Sequence, residues 1–467
     1  MIPIAEPDPM LFPSQVFLLL FLPLTLLAFH ACASSVTART TLLALASFAF
    51  YGYWDVRFLP LLLVTIGVNW AIGRAWRATR RDVLIVAGVV FNLGLLAFFK
   101  YTNFFLESLL TLVGVPFAPW TIILPLGISF FTFQQVSYIV DLRRHDMAPY
   151  GLVRYAAYVS FFPQLIAGPI VRHNELIPQF DHAFSGRTDP ECIARGAVLL
   201  ILGLAKKVFL ADEIAPIADA GFAAAADGGV PGAFAAWQGV LAYGLQIYFD
   251  FSSYSDMAMG LAGLFGLDLP LNFDKPYRAL TVREYWRRWH MTLSRFIRDY
   301  LYIPLGGSRT GPLRTYVVVV VTMTLCGLWH GAGWTFVLWG TLHGCAVAWN
   351  RLWERHGRAL PLPLAWLLTM VFLQIGWAFF RADDLAMTLR MLEGMFLPAG
   401  WGTFDDDAWL AIGIGSVLSL AFASNVELSR GRLPYGRVTL PLVALLLVAV
   451  LMRVGQGRAL EFIYFQF

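Results

Sequence analysis

The sequence predicts an all-α, polytopic transmembrane protein, and three observations lead to this fold class. The 467 residues are 58% hydrophobic and only 14% charged, with a mean hydropathy of +0.65. A soluble domain carries about 25% charged residues. Apolar runs follow one another along the whole chain, and they are too long for the strands of a membrane barrel. Helices are expected because a backbone inside lipid must satisfy its own hydrogen bonds.

The apolar runs predict about 10 to 13 membrane-embedded helices in a single domain, residues 1–467. Several runs are shorter than the roughly 20 residues that one crossing needs, so we expect some to merge, tilt or re-enter. The predicted spans are 14–33, 40–54, 58–73, 82–99, 121–142, 152–170, 192–211, 234–265, 315–330, 334–349, 364–380, 408–424 and 438–453.

Basic residues predict the orientation of the helices. Arginines occupy alternate early connections, at Arg39, at 74–81 and at 143–144, which places these loops in the cytoplasm and the N-terminus outside. No Lys or Arg precedes the first apolar run, so we expect no cleaved signal peptide.

The same rule orients the last helices. It places Arg351, Arg355 and Arg358 in one cytoplasmic connection and 430–437 in another, with the acidic stretch 381–407 outside. Joining the two ends requires one middle span to turn back. The run 234–265 is long enough to do so, and the C-terminus would then lie outside.

Composition also bears on partners and cofactors. The net charge of +4 lies mostly in loops and indicates orientation, not binding to nucleic acid. Four cysteines show no paired spacing, so neither a disulfide framework nor a metal site is predicted.

The basic stretch around His290 is the first candidate for chemistry. If residues 285–300 form one helix, His290 borders its apolar face beside Trp286. Arg287 and Arg288 then lie on the other side, where phosphate head groups or a polyanionic ligand can meet them. An interfacial anchor helix with its histidine at head-group level fits the same pattern.

His330 is the second candidate, in the middle of roughly thirty largely apolar residues. A titratable side chain inside a membrane is a functional candidate by default. Gly331 and Gly333 allow close approach of a substrate, and Trp329 and Trp334 are expected to form walls. A histidine hydrogen-bonded between packed helices is the alternative.

Other polar features interrupt the apolar runs. The segment 246–256 carries two carboxylates and five hydroxyls, and we expect it to brace helices, with a polar channel as the alternative. Cys326 lies one helical turn before His330 and is expected to be a packing residue, not a nucleophile. Lys206 and Lys207 are expected to reach a membrane interface.

A buried neutral imidazole suits general base catalysis of acyl transfer. A hydroxyl that attacks an acyl thioester needs a base and a dry site that discourages hydrolysis. A second histidine nearer the cytoplasm can position the donor or the thiolate leaving group. Two buried histidines suit a proton-coupled transporter equally well.

Six segments carry a resemblance to a known family. They are LPLGISFFTFQQVSYIVD (124–141), SFFPQLIAGPIVR (160–172), LAKKVFLAD (204–212), LQIYFDFSSYSDMAMG (245–260), YWRRWHMTLSRFIRDYLYIPLGG (285–307) and LCGLWHGAGWTFVLWGTLHG (325–344). In this order they resemble the membrane-bound O-acyltransferases, and among these the bacterial alginate O-acetyltransferase type. The similarity extends from about Phe48 to Leu451.

The resemblance implies a ring of tilted helices with a funnel from each side that meets near the WHG histidine. His330 then becomes the catalytic general base, and His290 of the RRWH motif the second histidine, on the cytoplasmic side. The catalytic core is residues 245–344. Many relatives have Glu at the position of Leu271, which this chain lacks. The expected substrate-binding residues are Asn272, Trp286, Arg287, Arg288, Trp289, Trp329 and Trp334.

The resemblance also implies the reaction. An acetyl group would move from a cytoplasmic thioester, acetyl-CoA as co-substrate, to hydroxyls of an extracytoplasmic polysaccharide, directly or through a periplasmic acetyltransferase partner. No tightly bound cofactor is expected, and the location is a bacterial inner membrane. Two alternatives are transfer from an acylated carrier protein and a non-catalytic conduit or scaffold in an exopolysaccharide export complex.

Overall fold

The structure, a computed structural model, is built from helices alone. Helices make up 77% of it, and the part of the chain that it describes contains no strand. The predicted fold class, an all-α polytopic membrane protein, is thereby confirmed. The described residues are 10–32, 35–186, 189–309, 311–357, 359–421, 424–427, 439–456 and 462–463.

Twenty-one α-helices follow one another along the described residues. The first ten are α1 (Leu22–Ala31), α2 (Val36–Trp54), α3 (Leu59–Thr79), α4 (Val83–Leu96), α5 (Thr102–Leu112), α6 (Ile128–Arg144), α7 (Leu152–Ser160), α8 (Phe162–Leu165), α9 (His173–Ala183) and α10 (Pro190–Lys206). The others are α11 (Asp212–Ala226), α12 (Ala233–Leu264), α13 (Val282–Arg288), α14 (Met291–Ile297), α15 (Pro312–His330), α16 (Trp334–His356), α17 (Leu362–Arg381), α18 (Leu385–Phe396), α19 (Asp406–Ala421), α20 (Asn425–Glu427) and α21 (Thr439–Gly455).

Four helical stretches among the described residues are long and apolar enough to cross a membrane. They are Val56–Thr79, Val83–Leu112, Pro312–His330 and Leu362–Arg381. Shorter apolar helices occur at Val16–Ala31 and Leu440–Gly455. Together with the family assignment given below, these stretches identify a multi-pass membrane protein.

Two predicted spans are wrong in their extent. The helix expected over 121–142 begins only at Ile128, because Gly127 has the left-handed backbone conformation (φ 71°) that interrupts a helix. The span expected over 152–170 ends at Ser160, and Phe161 leaves the helical region with ψ of 105°.

The predicted reversal within 234–265 is also wrong. Residues Ala233–Leu264 form one continuous helix of 32 residues, about 48 Å long at 1.5 Å per residue. The orientation of the two termini stays a prediction. Arg358, Glu6, Asp8 and the arginines of 430–437 lie outside the described residues.

The chain divides into two compact units, and the prediction of a single domain over 1–467 stays a prediction. Unit 1 is Met1–Leu204, Tyr254–Pro270 and Ser429–Ala459; unit 2 is Ala205–Ser253, Leu271–Leu428 and Leu460–Phe467.

The core of unit 1 is aromatic and is braced by amides. Phe17 contacts the ring of Phe162 edge-on at 6.1 Å between centroids. Asn69 and Asn92 donate to each other's side-chain oxygens at 3.1 and 2.7 Å, which joins α3 to α4. Asn69 also donates to Gln135 Oε1 of α6 at 3.0 Å. Reciprocal amide bonds of this kind hold helices together where lipid surrounds them.

In unit 2, α15 and α16 cross closely at glycines. A Cβ added to Gly340 would lie 2.3 Å from the carbonyl oxygen of Met323 and 2.9 Å from Gly327 Cα. Only glycine permits this approach of two backbones. The crossing helps to hold the end of α15, where His330 lies.

Lys207 of unit 2 contradicts the expectation that it reaches an interface. It is 3% exposed, and its ammonium lies 2.8 Å from Asp212 and 2.7 Å from Asp250. The backbone N–H of Ile463 donates to the other oxygen of Asp250 at 2.7 Å. The snorkelling prediction is wrong for Lys207, because two carboxylates satisfy its charge inside the protein.

Candidate active site

His290 lies at a break between two short helices. α13 ends at Arg288 and α14 begins at Met291, and His290 between them has the left-handed conformation (φ 42°, ψ 53°). The prediction of one helix over 285–300 is therefore wrong. The Met291 N–H bonds the carbonyl of Asn272 at 2.9 Å, so the preceding loop fixes the break. Non-glycine residues adopt this conformation mainly where surrounding contacts hold them.

The side chain of Asn272 orients the His290 ring. Its Oδ1 lies 3.1 Å from His290 Nδ1 and accepts from the N–H and hydroxyl of Thr292 at 3.3 and 2.9 Å. An amide oxygen only accepts, so His290 Nδ1 carries the proton and Nε2 keeps its lone pair. No described residue gives His290 Nε2 a hydrogen-bond partner. The ring can therefore accept a hydrogen bond from a substrate, and it has no Nε2 proton to offer a thiolate.

Burial keeps His290 neutral. Its side chain is fully inaccessible, and loss of solvation lowers its pKa to about 3. Phe251 packs edge-on against the ring at 4.7 Å between centroids. At neutral pH the Nε2 lone pair is therefore available.

His330 ends α15 inside an aromatic cage. It is 3% exposed, and its ring centroid lies 6.4 Å from that of His290. The rings of Trp329, Trp339 and Phe380 surround it at 4.9, 5.2 and 5.4 Å. The two histidines predicted from the sequence, 40 positions apart in the chain, thus meet in one buried cluster.

A third buried histidine, His343, belongs to the same cluster and was missed in the sequence analysis. It is 2% exposed and lies one helical turn after Trp339, with ring centroids 4.6 Å apart. Trp286 Nε1 donates to His343 Nδ1 at 3.1 Å. The argument that selected His330, a titratable group in an apolar run, applies to His343 as well and could have found it.

The remaining predicted residues separate into two groups. Trp286, Trp289, Trp329 and Asn272 are all less than 10% exposed and contact the histidine cluster or its neighbours. The structure does not bring the others into the cluster: Arg287 is exposed, Arg288 bonds Glu284 at 3.0 Å, and Trp334 is 58% exposed at the start of α16.

An apolar cavity of ≈ 210 Å³ lies beside the cluster. Trp286 and Cys326 line it, together with Arg283 and Arg351. A second cavity of ≈ 350 Å³ shares these two arginines, so the two cavities adjoin there. The second one is polar. It is also lined by Ser308, Thr315, Tyr316, Glu354 and Arg355.

Comparison with known proteins decides the family. Residues 120–381, which include all three histidines, match the profile of the membrane-bound O-acyltransferase family. The chain belongs to the membrane-bound O-acyltransferase family. It is therefore an acyltransferase, and the family resemblance predicted from the six motifs is confirmed.

Three relatives of this O-acyltransferase are similar over most of its length. The peptidoglycan O-acetyltransferase of Helicobacter pylori is 39% identical, over 83% of this chain and 80% of the relative. The probable alginate O-acetylase of Pseudomonas aeruginosa is 43% identical, over 84% of this chain and 76% of its own. That of Pseudomonas putida is 37% identical, over 98% and 100%.

Proposed function

We propose that this O-acyltransferase moves an acetyl group from acetyl-CoA, on the cytoplasmic side of the bacterial inner membrane, to hydroxyls of an extracytoplasmic polysaccharide. Transfer is direct or passes through a periplasmic acetyltransferase partner. The relatives are named as O-acetylating enzymes of peptidoglycan and alginate, and these names support a polysaccharide acceptor. The N-terminus is proposed to lie outside, as the positive-inside rule predicts.

The observation that carries the proposal is the buried pair of histidines. His330 and His290 lie 6.4 Å apart between ring centroids, and aromatic rings surround His330. Trp286, which bonds His343 of the same cluster, lines an apolar cavity. Acyl transfer to a hydroxyl needs a base in a dry site, because water at the reacting carbon hydrolyses the thioester. We assign His330 as that base, within the tunnel that the family resemblance implies.

The two adjoining cavities support acetyl-CoA as the donor. Coenzyme A combines an anionic nucleotide with a thinner, less polar pantetheine arm. The polar cavity offers Arg283, Arg351 and Arg355 against the single carboxylate of Glu354, which suits phosphate groups. The apolar cavity then takes the arm, and its lining residue Cys326 lies one helical turn before His330 on α15.

In the proposed reaction, His330 takes the proton of the acceptor hydroxyl as its oxygen attacks the thioester carbonyl. The neutral His290 accepts a hydrogen bond at Nε2 from an N–H or O–H of a substrate and so positions it. Asn272 holds the His290 ring in the tautomer that permits this.

Release of free CoA from labelled acetyl-CoA tests the proposal. Purified wild-type protein in detergent, supplied with polysaccharide acceptor and partner, is expected to release CoA. Release of CoA by the His330→Ala variant is expected to be at least about a thousandfold lower, close to background. The matched control is His356→Ala, which removes an exposed histidine of α16 and should keep wild-type turnover.

Two outcomes would overturn parts of the proposal. Equal turnover in wild type and folded His330→Ala contradicts the assignment of the base. If the protein turns over an acetylated carrier protein but not acetyl-CoA, the proposed donor is wrong, and the histidine cluster remains the proposed site.

A further inference from the structure

Two ring nitrogens of α16 lie close to Gly376 of α17. A Cβ added to Gly376 would lie 3.0 Å from His343 Nε2 and 3.4 Å from Trp339 Nε1. These are the two nearest nitrogens to that point, and they belong to side chains that are 2% and 1% exposed. Gly376 thus has both ring nitrogens as near neighbours, and any larger residue at this position would crowd them.

Both nitrogens are hydrogen-bond donors. The indole N–H of Trp339 only donates. His343 Nδ1 accepts from Trp286 Nε1 at 3.1 Å, so the neutral ring carries its proton on Nε2. Two N–H groups therefore lie beside Gly376.

No described residue accepts a hydrogen bond from Trp339 Nε1, and the one hydrogen bond that the structure gives the His343 side chain is at Nδ1. A buried donor that lacks an acceptor is destabilising, so such groups are rare in native proteins. Two N–H groups of this kind beside one glycine indicate an oxygen atom that arrives with a ligand.

The pair lies next to the assigned base. The Trp339 ring contacts the His330 ring edge-on at 5.2 Å, with an interplanar angle of 87°. Phe380, one helical turn after Gly376 on α17, contacts His330 at 5.4 Å. The Trp339 donor thus belongs to a ring that packs directly against the His330 ring.

We propose that Trp339 Nε1–H and His343 Nε2–H form the oxyanion hole of this enzyme and bind the carbonyl oxygen of the acetyl thioester. This inference rests on the proposed function. Two preorganised donors in a site without water stabilise the charge that develops on this oxygen during acyl transfer. Trp286 is a positioning residue, because its hydrogen bond sets the tautomer of His343.

The reaction balances without a cofactor. The hydroxyl oxygen of the acceptor forms a bond to the carbonyl carbon while its proton passes to His330. The π electrons of the carbonyl move to its oxygen, which the two N–H groups hold. When the carbonyl re-forms, the C–S bond breaks, and the sulfur leaves with the electron pair and receives the proton from His330. The products are an acetyl ester and a free thiol.

Trp339→Phe tests the hole, because it keeps an aromatic ring and removes one donor. Loss of one donor from an oxyanion hole lowers kcat by about a hundredfold to a thousandfold. We expect that loss in kcat with a KM for acetyl-CoA within about twofold of wild type. The matched control Trp349→Phe replaces a tryptophan of the same helix that is 58% exposed, and it should keep wild-type kcat.

His343 is tested by a pair of variants. His343→Gln retains an acceptor for Trp286 and a donor toward Gly376, whereas His343→Met retains neither. We expect His343→Gln to keep clearly more turnover than His343→Met. Equal loss in both folded variants contradicts a hydrogen-bonding role for His343.

Binding of two coenzyme A thioethers separates catalysis from packing. The trifluoroacetonyl thioether has an electrophilic carbonyl, and the ethyl thioether has none. The Trp339→Phe variant is expected to bind the trifluoroacetonyl thioether about a hundredfold more weakly than wild type does. It is expected to bind the ethyl thioether as tightly as wild type does. Equal weakening of both analogues indicates a packing role and overturns the inference.

The outcomes also separate this inference from the proposed function. Wild-type turnover of acetyl-CoA with an unchanged kcat in folded Trp339→Phe overturns the oxyanion hole alone. Wild-type protein that neither turns over acetyl-CoA nor binds either thioether overturns the proposed donor and this inference together.

Discussion

A buried histidine of unit 1 and a buried histidine of unit 2 differ in how many of their ring nitrogens have a hydrogen-bond partner. In unit 1, His173 Nε2 lies 3.2 Å from Asp141 Oδ2, and Nδ1 lies 3.3 Å from the Tyr150 hydroxyl. In unit 2, His290 bonds Asn272 through Nδ1, and no described residue bonds its Nε2. Both side chains are fully buried.

The difference shows that burial alone does not mark a functional histidine. His173 has partners at both nitrogens, as a residue that braces helices needs. His290 and His343 each have one partner that fixes the tautomer and one nitrogen that remains available for a substrate. The two histidines belong to one cluster, because His330 contacts both His290 and Trp339, and Trp339 contacts His343.

The largest expected difference between the two sites is in turnover. His290→Phe should lower acetyl transfer per folded molecule by at least about a hundredfold, because it removes the available Nε2 lone pair. His173→Phe should leave the transfer rate per folded molecule unchanged. Acetyl-CoA turnover normalised to monodisperse protein measures both, and equal losses in the two variants would show that the comparison is wrong.

Stability should respond in the opposite way. His173→Phe leaves the buried carboxylate of Asp141 without this partner, so the free energy of unfolding should fall by about 3 kcal/mol. His290→Phe should cost less, because it breaks one hydrogen bond to a neutral amide. Thermal unfolding in detergent reports both, and Arg195→Gln, which breaks an exposed ion pair with Glu191, serves as a control within about 0.5 kcal/mol.

A third test examines whether the two cavities beside the histidine cluster hold acetyl-CoA. Changing Arg351 and Arg355 to Gln should raise the KM for acetyl-CoA about tenfold, because charge-assisted bonds to its phosphates are lost. The KM for acetyl-pantetheine, which lacks the nucleotide, should not change. Arg309→Gln alters an exposed arginine that lines neither cavity and is the control. An equal rise for both thioesters would place the nucleotide elsewhere.

The smallest effect is a pH dependence of stability. The pKa of His290 is lowered to about 3 in the folded protein, against about 6.5 when unfolded. As pH falls below 7, the unfolded chain binds a proton that the folded one does not, so stability is lost. Between pH 7 and pH 5.5 wild type should lose about 1 kcal/mol more than His290→Gln. Parallel unfolding curves of the two proteins would contradict the buried neutral ring.

Local sequence patterns determined the fold class and most helix positions. The apolar run 234–265 became the helix Ala233–Leu264, and 315–330 became Pro312–His330. Both follow from composition along contiguous residues, because an apolar segment inside lipid must form a helix to satisfy its backbone. The same reasoning selected His330, and the basic amphipathic pattern around His290 selected that residue.

Tertiary structure decided what these residues contact. The break at His290, its bond to Asn272 18 positions earlier, and the bond from Trp286 to His343 57 positions later join separate segments. So does the burial of Lys207 between Asp212 and Asp250. Periodicity places a residue on a face of its own helix, but which residue of another segment meets it depends on packing. The sequence alone therefore determined a helical membrane acyltransferase with two marked histidines. Only the packed structure decided which nitrogens carry protons and which have no hydrogen-bond partner among the described residues.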